Sequence, residues 1–76
     1  MKTLKELNIG ESGVIARVKC TGALKQRFMD MGITKGTEVK IIKIAPLGDP
    51  IEIEIRGYNL SIRKGDAEQI EMKDVD

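Results

Sequence analysis

The chain has 76 residues, with 13 Lys and Arg against 12 Asp and Glu, no histidine and one cysteine. Residues 1–76 are expected to form one domain, and a chain of this size buries only about 60–65% of its unfolded surface, which disfavours a deep catalytic cleft. A net charge of +1 lacks the strong basic excess of a nucleic-acid binder, and Cys20 alone can close no internal disulfide.

Taken in order, Leu4, Leu7 and Ile9 lie between polar positions. Their spacing suits one helical turn or a short edge strand. The basic start at Lys2 and Lys5 is followed by no apolar run of signal-peptide type. No stretch approaches the ~20 apolar residues needed to span a bilayer, so a soluble, cytoplasmic protein is expected. Gly10-Glu11-Ser12-Gly13 reads as a turn, with two glycines available for positive φ. Residues 14–20 alternate loosely as a strand. Val14, Ala16, Val18 and Cys20 form its apolar face, and Ile15, Arg17 and Lys19 the other. Cys20 reads as a small buried hydrophobe rather than a nucleophile or ligand, since no histidine exists to activate it.

The segment from Leu24 to Gly36 carries the one convincing helical period. Leu24, Phe28 and Met31 fall at i, i+4 and i+7 and share one face. Thr21 is the expected N-cap through its hydroxyl. Gly32 is the expected left-handed residue after the last turn. Met29 lies roughly opposite the apolar face, where it is either an exposed contact or packs under a neighbouring loop. Ile33 to Gly36 forms a turn.

Strand 37–45 changes face midway. Val39 and Ile41 share one side, Ile42 and Ile44 the other. Either both faces are covered or a bulge sits near Ile41. Ala45-Pro46-Leu47-Gly48-Asp49-Pro50 is a loop. Strand 51–56 alternates cleanly, with Ile51, Ile53 and Ile55 inward and Glu52, Glu54 and Arg56 outward. A tight hairpin at Gly57 leads to a strand with Tyr58, Leu60 and Ile62 on one face. Lys64 to Ala67 reads as a short 3₁₀-like turn, Ile70 and Met72 as a last strand, and Lys73 to Asp76 as an acidic tail. The sum is an all-β fold, a small barrel of about five strands with one short inserted α-helix, since closure removes exposed edges.

Without histidine, no Ser/His/Asp or Cys/His set can be built, and no phosphate-loop motif is present. No enzyme activity is expected. Glu52 and Glu54 read as a solvated strand face, and Met31 and Met72 as core. Met1 is the remaining soft side chain. Residues 1–45 carry +5 and residues 46–76 carry −4. Facing strands are expected to pair these opposite charges, and a basic patch around the helix would suit an acidic partner. Protein binding around the helix is the favoured function. Lys25, Arg27 and Met29 would contact the partner, Gly32 and Gly36 would shape the surface, and Leu24 would be core or rim. Arg27, at the edge of the buried face, is expected mainly to anchor the helix.

Arg27-Phe28-Met29-Asp30-Met31-Gly32-Ile33-Thr34-Lys35-Gly36-Thr37 resembles the R-L-x-x-[LM]-G-[LI]-x-x-G-x signature of the FeoA family. Further landmarks follow in order. They are Leu4, Leu7, Gly10 and Gly13, then the 45–50 loop, then Gly57, Leu60-Ser61-Ile62-Arg63 and Ala67. The likeness spans roughly residues 3–72, with Phe28 where leucine is usual and Gly65-Asp66 where an acidic pair is commoner. The resemblance implies an SH3-like barrel and a cytoplasmic accessory role in bacterial ferrous iron uptake. The implied partner is the cytoplasmic region of the FeoB permease, whose assembly or activity the domain would modulate. Two other readings are an Fe(II)- or transition-metal-responsive module and a generic SH3-like protein-interaction domain. The lack of histidine argues against the metal site, whose residues are unknown. Near-neutral charge and the lack of an aromatic platform argue against nucleic acid.

Overall fold

The computed structural model describes residues 2–73; Met1 and the acidic tail beyond Lys73 lie outside the described residues. A 3₁₀ turn at Leu4–Glu6 opens the chain. The strands are β1 (Ser12–Val18), β2 (Glu38–Ile44), β3 (Ile51–Ile55), β4 (Tyr58–Ile62) and β5 (Ile70–Met72). Helix α1 (Gly22–Asp30) is inserted between β1 and β2, and a one-turn α2 (Lys64–Ala67) precedes β5. The sheet order is β4-β3-β2-β1-β5, and every neighbouring pair is antiparallel.

Two bulges bend this sheet around its core. The register slips between Ile41 and Lys43 on β2, so Ile42 is the extra residue. Val39 and Ile41 point into the core before it. After it, Ile44 faces Ile51 across the ladder and packs on the core. This is the face change legible in the sequence. A second slip lies between Ile15 and Arg17 on β1. The strand runs 12–18 rather than 14–20, and Ile15 is its fully buried residue. Ala16 is the inserted residue, so parity resets and Val18, opposite Ile70, returns to the core side. Strict alternation cannot be read through a bulge.

The strand β3 fulfils its alternation. Ile51, Ile53 and Ile55 are buried. It ends one residue before Arg56, which with Gly57 forms a two-residue turn, both at positive φ (52° and 83°). That geometry matches the twist of the flanking strands. In β4, Ile62 is buried and Leu60 half-buried, whereas Tyr58 is exposed. The segment 64–67 is α-helical rather than 3₁₀. Its first amide donates to Asp49 Oδ1 at 3.0 Å, so the 45–50 loop satisfies one orphan donor of α2. At the start, Leu4 and Leu7 are buried and Ile9 is exposed. The 3₁₀ turn is closed by the Thr3 amide donating to Glu6 Oε1 at 3.0 Å. That bond favours the ionised carboxylate and lowers the Glu6 pKa.

Helix α1 is held by its C-terminus. Gly32 adopts φ +87°. Its N–H donates to the Met29 carbonyl at 3.0 Å, and the Ile33 N–H donates to the Phe28 carbonyl at 2.8 Å. This reversal satisfies the last carbonyls and drops Phe28 and Ile33 together into the core. At the other end Thr21 is the N-cap residue, but its side chain makes no capping hydrogen bond, contrary to the expectation from sequence.

A Cβ on Gly32 would lie 3.1 Å from Arg56 Cδ and Nε. Gly65 has open space and no left-handed φ. In urea unfolding, Gly32→Ala is expected to lose about 1–2 kcal/mol, the cost of a left-handed L-residue. Gly65→Ala is expected to gain up to about 1 kcal/mol.

Candidate functional site

A groove of about 350 Å³ runs beside α1, lined by residues of β1, α1 and the turn after it. On the helix, Lys25 and Met29 stand one turn apart and share a face. On the opposite wall are Ala16, Arg17 and Val18 from β1, with Thr34 and Lys35 closing one end. Ile33 lies buried beneath. Met29, opposite the apolar face, is 50% exposed.

The walls are joined by main-chain bonds. The Gly36 N–H donates to the Ile15 carbonyl at 2.8 Å, and the Ile15 N–H donates to the Thr37 carbonyl at 2.9 Å. Gly36, at φ +88°, lets the 34–37 turn fold back onto β1. The Thr34 and Thr37 hydroxyls lie 3.0 Å apart across that turn. The far side of the helix terminus is covered by the β3–β4 hairpin, where the Tyr58 hydroxyl donates to the Met31 carbonyl.

The structure brings together two of the six residues singled out in the sequence, Lys25 and Met29. Leu24 is half-buried against the core rather than in the groove. Arg27 is exposed on the flank turned away from the groove, and its side chain makes no ion pair or hydrogen bond among the described residues. Gly32 and Gly36 act through backbone conformation at the two turns. Sequence reasoning missed Ala16, Arg17, Val18, Thr34 and Lys35. The signal was Ala16, placed on the interior face because the bulge was not seen; Val18 packs on the core as expected and also borders the groove.

Charge around the groove is uneven. Arg17 Nε lies 2.9 Å from Glu71 Oε1. Lys40 faces Glu54 and Lys43 faces Glu52 across the β2–β3 ladder. Lys25 and Lys35 make no ion pair among the described residues. Cys20 is half-buried and packs on the core, as do Met31 and Met72. Among the described residues no three Cys, Asp or Glu side chains converge into a metal-binding cluster. Nor is any helix there long and apolar enough to cross a membrane.

A bent five-stranded antiparallel sheet with a helix between its first two strands defines an SH3-like fold. It superposes on the zinc-complexed structure of Stenotrophomonas maltophilia FeoA with a TM-score of 0.84 at 25% identity, over 96% of this chain and 91% of that one. That protein is described as a procaryotic SH3 domain protein and a candidate activating factor for ferrous iron transport. The FeoA domain profile matches residues 2–74, and the chain belongs to the FeoA family of ferrous iron transport accessory domains. The FeoA-like protein of Clostridium acetobutylicum matches at 38% identity and a TM-score of 0.86, over 93% of this chain and 83% of that one. A fusion of Fe(2+) transport protein A with the Fe(2+) transporter FeoB from Porphyromonas gingivalis is 39% identical over 70 residues. Those residues are 92% of this chain but only 8% of the fusion protein.

The Tyr58 hydroxyl makes the one side-chain hydrogen bond from the β3–β4 hairpin to the end of α1 among the described residues, while the Arg56 side chain lies beside Gly32 and donates to Thr37 Oγ1 at 3.5 Å. Tyr58→Phe is therefore expected to lower stability by about 0.5–1 kcal/mol, the worth of a half-exposed hydrogen bond. Amide exchange should quicken at residues 31–33 more than in β3.

Proposed function

We propose that this chain is a cytoplasmic accessory module of ferrous iron uptake that docks on the cytoplasmic region of a FeoB-type permease. The contact surface is the groove beside α1. Lys25 and Met29 meet the partner directly, Leu24 borders them from the core side, and Gly32 and Gly36 hold the two turns that shape the groove.

The observation that carries this reading is an exposed methionine in a groove with apolar lining, shared with two lysines free of ion pairs among the described residues. Methionine is unbranched and polarizable, so it adapts to an irregular partner surface. The Porphyromonas gingivalis relative supports the choice of partner, since it joins the two functions in one polypeptide. A module that acts on a permease gains effective concentration from such a fusion.

A binding module acts only through different affinities for its partner's states. Docking therefore biases the permease toward one assembly or gating state. Iron is the cargo of that system.

The test is calorimetric titration with the soluble cytoplasmic domain of the cognate permease. The Lys25→Glu/Met29→Glu double variant is expected to bind at least tenfold more weakly, with an unfolding temperature close to that of the parent. Equal affinity in a folded double variant would contradict the proposal.

A further inference from the structure

We infer that the groove beside α1 takes a short acidic protein segment carrying one apolar anchor side chain. This rests on the groove being the docking surface, and it specifies the chemistry of what docks there.

The apolar lining of the groove is Ala16 and Val18 on one wall and Met29 on the other, with the buried Ile33 between them. Its charged walls are all cationic. Arg17, Lys25 and Lys35 line it, and no carboxylate does. Arg17 is already engaged by Glu71 at 2.9 Å. Lys25 and Lys35, from opposite ends of the helix–turn segment, have no ion-pair partner among the described residues.

Size fits a single anchor. The groove, open to solvent along one side, offers about 350 Å³, and about 150 Å³ of apolar space already holds a benzene ring. A purely apolar occupant would strip water from both lysines and offer nothing in return. Carboxylates beside the anchor replace that water with charge-assisted hydrogen bonds. They also steer the segment toward the groove before contact. A nucleic acid would supply the negative charge, but the walls present no aromatic ring for its bases to stack on.

The test uses the full chain and three capped heptapeptides, followed by two-dimensional amide NMR. One has a central leucine with three acidic residues on each side. The second has lysines in place of the acids, and the third has alanine in place of the leucine. The acidic leucine peptide is expected to shift residues 16–18, 29 and 33–35 saturably, and at least tenfold more tightly than either control. A Lys25→Glu/Lys35→Glu variant should lose the preference for acidic flanks, and added salt should weaken binding. Equal binding of the lysine peptide, or no shifts at those residues, would overturn the inference.

The permease domain, titrated in parallel, separates this inference from the docking proposal. Shifts at the groove from the permease domain, with none from the acidic peptide, would leave the docking reading standing and remove the acidic segment. Binding of the acidic peptide without the permease domain would keep the groove chemistry and remove that partner.

Discussion

The left-handed turn at Gly32 is the constraint on which the groove depends. At φ +87° the chain reverses within one residue. Phe28 and Ile33 therefore enter the core side by side, joined by a 2.8 Å main-chain hydrogen bond. With those two fixed, the rotation of α1 about its axis is also fixed. Lys25 and Met29 must then face β1, and Leu24 and Met31 must lie along the core. The turn at 34–37 continues the same logic. Two main-chain bonds between Ile15 and the Gly36–Thr37 segment set the distance between the groove's walls. A left-handed position costs a residue with a Cβ roughly 1–2 kcal/mol, so glycine is the natural occupant of both turns.

The bulges are the second organising feature. A bulge adds a residue on one strand only, and so bends the strand and resets which side chains face inward. On β2 the extra Ile42 left a visible mark, because the strand carries isoleucines on both sides of it. On β1 the extra Ala16 left none. Ala16 and Val18 look like the inward set of a regular strand, and Ile15 looks like its odd partner. The structure gives Ile15 to the core, returns the half-buried Val18 to the core side, and leaves Ala16 at the groove wall, which Val18 also borders. The far wall of the site was thus illegible for a specific reason, whereas its helical wall was legible from a 3.6-residue period. The alternation of Ile51, Ile53 and Ile55 was legible because no irregularity interrupts β3. The side-chain cap expected of Thr21 rested on residue type alone, and α1 begins without it.

The uneven charge along the chain has a structural meaning. Cations of the first half meet carboxylates of the second, in Lys5–Glu68 at 3.1 Å and Arg17–Glu71 at 2.9 Å, and in the Lys40/Glu54 and Lys43/Glu52 register pairs. Exposed pairs of this kind add at most about 1 kcal/mol each to stability. Beside the groove, Lys25 and Lys35 have no ion-pair partner among the described residues and no carboxylate lines the walls, which leaves a locally positive field. Such a field acts on partner choice and encounter rate rather than on the fold.

The central claim is that the α1 groove is where the partner meets this domain. Two-dimensional amide NMR of the chain, titrated with the soluble cytoplasmic domain of its cognate FeoB-type permease, tests it most directly. The account predicts shifts concentrated on residues 16–18 and 25–36, with β3 and β4 almost unmoved outside the Arg56–Tyr58 hairpin tip. Shifts confined to the β2–β3 loop around Leu47, or the absence of shifts at saturating permease domain, would contradict it.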